Sequence, residues 1–207
     1  MCKRNIFFKC LYGLVKGIYY GLYNVKVEGR ENIPEKSGFI IASNHRTFAD
    51  PPLIAVTAGC AKYSFVAKAE LFRFPPFGWL IRKLGAFPVV RGKGDMKVIS
   101  DSVERINQGR NLVIFPEGTR SKDGKVGRGK TGVALIAARS GAAVVPAGIV
   151  FEGKLRFRSK VTVKYGKPIA PEDIQLEKEL DPHKLKAVKV KIMGEIKELV
   201  EGSNGGN

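Results

Sequence analysis

With 207 residues the chain is long enough for one domain with a well-buried core, and its 36 Lys+Arg against 19 Asp+Glu leave a formal charge of +17. That balance points to an anionic partner, whether nucleic acid, an anionic membrane or a phosphorylated substrate, without choosing among them. Three cysteines, Cys2, Cys10 and Cys60, and two distant histidines, His45 and His183, form neither a disulfide framework nor a metal-ligand cluster, so no metal site is expected.

The chain opens on MCKRNIFFKCLYGLVKGIYYGLYNV, a basic start joined to an aromatic-rich apolar stretch. It lacks a clear small-residue cleavage site, and Lys9 and Lys16 interrupt it. On a helix, Phe7, Leu11, Leu14, Ile18 and Leu22 share a broad apolar face with Phe8, Tyr12, Val15 and Tyr19. A spanning helix needs about 20 predominantly apolar residues, so residues 1–24 are expected to form an amphipathic helix lying in a membrane interface. The alternative is a helix packed on the protein's own core. Residues 25–201 are expected as a single domain, with 202–207 (GSNGGN) as a disordered tail.

Strand-length apolar runs follow at 38–43 (GFIIAS), 63–67 (YSFVA), 85–90 (GAFPVV), 111–115 (NLVIF), 143–150 (AVVPAGIV) and 160–165 (KVTVKY). Helical patterns lie between them at 51–58, 76–84, 95–108 and 130–139, with a last one at 181–200. The alternation predicts an α/β domain with a mixed, largely buried central β-sheet flanked by helices. Asp50 and Asp181, each followed by proline, read as helix caps, and Gly109 and Gly141 suit the positions just past two helices.

Loops at strand ends are where chemistry is to be sought. In SNHRTFADPP, His45 follows a buried strand and Asp50 comes five residues later. Five helical residues rotate by ~500°, which would leave the two side chains ~140° apart, so His45 must stand outside the helix for the pair to meet. A histidine there suits acid-base work near neutral pH, and a carboxylate partner would fix its tautomer. Taken alone, His45 reads better as an ordinary loop residue and Asp50 as a cap. With no G-x-S-x-G elbow in the chain, the natural role for His45 is to activate a substrate hydroxyl directly.

A second constellation is NLVIFPEGTRS, a strand emerging into Glu117, Gly118, Thr119 and Arg120. Arg120 can grip a phosphate bidentately, and Gly118 permits close backbone approach. Arg91 ends the 85–90 run in the same way. A third pattern, Gly124, Gly129, Lys130 and Thr131, has the G-x-x-x-x-G-K-T spacing of a nucleotide-binding P-loop. A P-loop directly follows a strand, whereas this segment begins about nine residues past one, so nucleotide binding is the remote alternative.

Together, Asn44-His45-x4-Asp50, Gly85-Ala-Phe-Pro-Val-Val-Arg91, Phe115-Pro-Glu-Gly-Thr-Arg-Ser121 and Val144-Val145-Pro146 resemble the four ordered motifs of the glycerolipid acyltransferases. Over residues 25–170 the chain looks most like the bacterial 1-acyl-sn-glycerol-3-phosphate acyltransferases. The resemblance implies acyl transfer from acyl-CoA or acyl-carrier protein to the sn-2 hydroxyl of lysophosphatidic acid, giving phosphatidic acid, without a cofactor. It implies His45 as general base, Asp50 as its partner, and Arg91 and Arg120 as holders of the acceptor phosphate, with Glu117, Gly118 and Thr119 shaping that site. Lys68, in FVAKAELF, would contact the oxyanion or a substrate phosphate. The implied partners are anionic membrane lipids rather than nucleic acid, and the implied location is the cytoplasmic face of the cell membrane, peripheral or monotopic. Acylation of another lysolipid or of glycerol 3-phosphate is the nearer rival.

Overall fold

The computed structural model describes residues 6–89, 95–121, 123–174 and 181–202. Helix α1 (Ile6–Leu22) leads into β1 (Asn24–Glu28), β2 (Ile40–Ser43), α2 (Asp50–Ala58), β3 (Tyr63–Lys68), α3 (Pro75–Leu84) and β4 (Ala86–Val89). There follow α4 (Asp95–Asn107), β5 (Asn111–Ile114), α5 (Gly132–Ser140), β6 (Val144–Val150), β7 (Lys160–Tyr165), the short α6 (Pro171–Ile174) and α7 (Pro182–Glu201). The strands make one sheet in the order β1-β7-β6-β2-β5-β3-β4, parallel throughout except where β6 meets β7. This is the mixed α/β sheet flanked by helices that the sequence predicts.

The central strands lack polar alternation because both faces of the sheet are covered. Ile40, Leu112 and Val144 point to one face and pack with Ile136 of α5 and Ile192 and Ile196 of α7. Ile41, Val113 and Val145 point to the other and pack with Leu53 and Ile54 of α2 and with Val163 and Tyr165 of β7. Each such aliphatic side chain stabilises the fold by roughly 1.5–3 kcal/mol relative to exposure. Buried hydroxyls tie α2 down: Tyr165 Oη lies 2.7 Å from Thr57 Oγ1 and donates to Ile54 O at 3.2 Å.

These layers fix where chemistry can occur. The connection leaving β2 runs through α2 on one face of the sheet, and the connection leaving the adjacent β5 runs through α5 on the other. Between two such strands the carboxyl edge of a parallel sheet opens a crevice, the usual ligand position in α/β folds.

Three local expectations change. Residues 24–28 (NVKVE) form a strand paired in parallel with β7, so Asn24 belongs to the sheet rather than to the first helix. A short, half-exposed edge strand carrying Lys26 and Glu28 shows too little apolar pattern to announce itself. Asp50 is the first residue of α2, not its cap: Ala49 holds the cap position in helical geometry, and the Asp50 carboxylate points back into the preceding turn. Helix α5 starts at Gly132, two residues later than expected. Asp181 does cap α7, accepting from His183 N at 2.8 Å, and Gly109 and Gly141 take the left-handed conformation, with φ of 72° and 62°.

Helix α1 packs one side on the domain and leaves other apolar side chains in solvent. Its tyrosines pack on α2, Tyr12 Oη donating to Val56 O at 2.9 Å and Tyr19 Oη to Ala49 O at 3.2 Å. Burial pushes the Tyr19 pKa up to about 12. Ile6, Leu14, Ile18 and Leu22 remain exposed. Among the described residues, no helix is long and apolar enough to cross a membrane.

Candidate active site

The turn from β2 into α2 is organised by one carboxylate. Asp50 is 1% exposed, and its Oδ2 accepts from Arg46 N at 2.6 Å and Thr47 N at 2.8 Å, while Oδ1 accepts from Thr47 Oγ1 at 2.7 Å. These bonds curl residues 44–49 back over the helix start, which lets two side chains five residues apart meet. His45 Nδ1 lies 2.8 Å from Asp50 Oδ2. Because both carboxylate oxygens already act as acceptors, the hydrogen-bond network assigns the proton to Nδ1 and leaves Nε2 as the ring's lone pair. The imidazole is 19% exposed and stacks on Phe115, with centroids 4.2 Å apart and planes 22° apart. Asn44 anchors the same turn to β6: its amide donates to Ile149 O at 3.0 Å and accepts from Ile149 N at 2.7 Å.

Glu117 clamps the neighbouring turn to this one. Its Oε1 accepts from His45 N at 3.0 Å and its Oε2 from Gly127 N at 3.2 Å. Ser121 N in turn donates to His45 O at 2.8 Å. Both carboxylate oxygens are thus engaged with backbone donors of two loops. The expectation that Glu117 takes part in a phosphate site meets a side chain already committed to bracing. Burial pushes the Glu117 carboxyl pKa up, against the opposing pull of those two hydrogen bonds. A side chain at Gly127 would stand 2.9 Å from Glu117 Oε2, so glycine is what lets the carboxylate reach that N–H.

Gly118 follows with φ 69°, in the left-handed region, and a Cβ there would lie 3.3 Å from Lys130 Cε and 3.5 Å from its Nζ. Lys130 therefore overlies the turn, and its own N donates to Pro116 O at 2.9 Å. Thr119 and Arg120 are exposed, the Arg120 guanidinium resting 3.7 Å over the ring of exposed Phe48. The P-loop-like segment is a loop between β5 and α5 whose Gly127 and Lys130 amides already serve Glu117 and Pro116. It does not leave a strand directly, so the phosphate-cradling geometry of a P-loop is absent there.

Strand register relates Lys68 to this group. Ile41, Val113 and Phe65 stand level across β2, β5 and β3. Three residues further along these parallel strands come Asn44, Pro116 and the exposed Lys68. Two inter-strand steps of about 4.8 Å separate the Lys68 backbone from the His45 turn. Arg91 lies outside the described residues. The sequence reading passed over Arg46, whose guanidinium sits 3.8 Å over the Phe151 ring and donates to Phe151 O and, at 3.3 Å, to Gly153 O. It closes the loop after β6 against the His45 turn. Among the described residues, no three His, Cys, Asp or Glu side chains cluster as a metal site would require.

A buried carboxylate holding a largely buried imidazole at a topological switch point, beside a loop whose exposed guanidinium rests on Phe48, is an arrangement in an α/β fold that suits acid-base chemistry beside an anion. Residues 24–150 match the family model described as Acyltransferase, and the chain belongs to that family. It is 34% identical over 155 residues to a 1-acyl-sn-glycerol-3-phosphate acyltransferase of Bacillus subtilis, covering 72% of this chain and 75% of the relative. A chloroplastic 1-acyl-sn-glycerol-3-phosphate acyltransferase of Arabidopsis thaliana is 32% identical over 66% of this chain, which spans only 38% of that longer protein. Among solved structures, the 1-acyl-sn-glycerophosphate (LPA) acyltransferase PlsC from Thermotoga maritima superimposes with a TM-score of 0.66 at 30% identity, covering 90% of this chain and 80% of that one.

Proposed function

We propose that the chain transfers an acyl group from a thioester, acyl-CoA or acyl-carrier protein, to the sn-2 hydroxyl of 1-acyl-sn-glycerol 3-phosphate, giving phosphatidic acid for phospholipid synthesis. The observation that carries this reading is the His45 Nδ1 to Asp50 Oδ2 contact of 2.8 Å, which leaves Nε2 to receive a proton. The names of the relatives support the choice of acceptor.

In this mechanism Nε2 of His45 takes the acceptor hydroxyl's proton as that oxygen attacks the thioester carbonyl carbon. Asp50 holds the tautomer and stabilises the imidazolium. The tetrahedral intermediate collapses with cleavage of the C–S bond, and the departing thiolate recovers the proton from His45. No acyl-enzyme forms. Arg120 and Arg91 bind the acceptor phosphate, the turn at Gly118 and Thr119 shapes its seat, and Lys68 faces the oxyanion or a substrate phosphate. Glu117 fixes the spacing between the His45 turn and the Arg120 turn instead of touching substrate. The exposed apolar side of α1 lies in the cytoplasmic face of the cell membrane, and the charge of +17 favours anionic lipid there.

Purified protein in detergent, given lysophosphatidic acid, other lysolipids or glycerol 3-phosphate with each donor type, tests this. Thioester-dependent formation of phosphatidic acid is the expected product by mass spectrometry. Preferred acylation of a different acceptor would replace the assignment.

A further inference from the structure

Helix α3 leaves bulky apolar side chains in solvent for which neither the core nor the His45 site has a use. Phe74 is 65% and Trp79 57% exposed, with Phe77 and Leu80 beside them also exposed. Phe77, Leu80, Ile81 and Leu84 follow helical spacing, yet α3 buries only Gly78 fully, where a Cβ would stand 2.7 Å from Phe72 O. Around them stand the exposed cations Lys68, Arg73, Arg82 and Lys83, and residues 63–84 contain a single carboxylate, Glu70. Among the described residues no ion pair engages these four cations, although the Arg82 guanidinium lies 4.6 Å over Phe72 and the Lys83 ammonium 5.8 Å over Trp79. Aromatic side chains mixed with unpaired cations suit the headgroup level of an anionic bilayer, where the ring is amphipathically matched and each cation gains from the surface potential.

The handedness of the fold says which way this helix faces. The β2–α2–β3 crossover moves toward the β4 edge with its helix on one face, whereas β4–α4–β5 and β5–α5–β6 move back with their helices on the other, so these three share one hand. Crossovers between parallel strands keep that right hand almost without exception. The β3–α3–β4 unit moves in the direction of β2–α2–β3, which puts α3 on the face of α2, and that is the face on which α1 lies.

We propose that α3 is a second membrane-docking element, which with the exposed side of α1 seats one whole face of the domain on an anionic phospholipid bilayer. Two separated anchors on one face, unlike one helix alone, fix the orientation of the sheet, so that the exposed Phe48 and Arg120 at the His45 crevice meet the lipid surface at a set height. The inference rests on the reading of the chain as an enzyme of lipid surfaces, but its deciding readout, vesicle binding seen through Trp79, does not use the reaction.

Trp79 is the chain's only tryptophan, so the unaltered protein reports on α3 directly. With vesicles containing phosphatidylglycerol, Trp79 emission is expected to shift to shorter wavelength and to lose quenching by acrylamide, with a weaker response to purely phosphatidylcholine vesicles. Arg82→Gln with Lys83→Gln is expected to weaken vesicle affinity roughly fivefold for each cation removed, while acylation in detergent micelles stays at the unaltered rate. A Trp79 signal unchanged in protein that co-sediments with vesicles leaves α1 as the only anchor and overturns the proposal, as does failure to bind vesicles at all. A blue shift that depends on protein concentration without lipid, with a dimer by light scattering, assigns the face to a second copy and overturns it as well. Loss of acylation in detergent with the Trp79 response intact would count against the reaction alone.

Discussion

Replacing Asp50 with asparagine separates the two tasks this residue performs. The amide oxygen can occupy the Oδ2 position and keep its bonds from Arg46 N and Thr47 N, at 2.6 and 2.8 Å in the parent, while the amide NH2 faces Thr47 Oγ1, which can turn to accept. Fold stability should therefore fall by only about 1–2 kcal/mol. The lost charge acts on the reaction instead. An imidazolium and a carboxylate joined at 2.8 Å have charge centres ~4 Å apart, worth about 4 kcal/mol at an effective dielectric of 20. That corresponds to a kcat roughly 10³-fold lower, with KM for either substrate little changed. The assay is initial-rate acylation of lysophosphatidic acid in detergent, alongside a thermal melt. A folded Asp50→Asn protein with kcat within about tenfold of the parent would refute the Asp50 carboxylate as the partner that stabilises the imidazolium in the reaction.

Three further outcomes follow from the same geometry. Because burial raises the Glu117 pKa, its protonated form is favoured by folding: the contribution is fully present below the ordinary carboxylate range and is lost as pH rises through the raised value. The melting temperature of Glu117→Gln should therefore gain on that of the parent as pH rises above the ordinary carboxylate range, and a pH-independent difference would show that Glu117 is not titrating in this way. Arg120→Ala should raise KM for the phosphorylated acceptor by about tenfold or more with a smaller effect on the donor, and an unchanged acceptor KM removes Arg120 from the site. Gly29 has φ 68° and a Cβ there would overlap Tyr165 O, so Gly29→Ala should destabilise by more than about 1 kcal/mol in denaturant unfolding, the adjacent strands β1 and β7 loosening first.

How far the sequence speaks for itself varies by element. The buried runs around Ile40, Leu112 and Val144 announce a covered sheet because a strand with two buried faces has no other composition open to it. The His45 and Asp50 spacing shows that the pair can meet only if His45 stands outside the helix, and the turn does hold it there. What the spacing leaves out is the means: three donors from Arg46 and Thr47 on one carboxylate, a feature of three-dimensional closure. Glu117 was readable only as a carboxylate among phosphate-binding residues, since its partners His45 N and Gly127 N come together through the adjacency of β2 and β5, which local pattern does not encode. Gly124 and Gly129 imitate a P-loop because a left-handed φ of 80° beside the Arg46 guanidinium at the first and the close approach of Met193 at the second ask for the same residue that a phosphate would. Strand β1 stayed hidden for the opposite reason, its charged and half-exposed residues resembling a linker.

The central claim is that His45 moves the proton in acyl transfer to lysophosphatidic acid. The most direct measurement is the turnover of His45→Ala, purified in detergent and shown by its melt to be folded, with lysophosphatidic acid and an acyl thioester. The account predicts a fall in kcat of roughly 10²–10⁴-fold, the range expected for losing a positioned general base; turnover near that of the parent would contradict it.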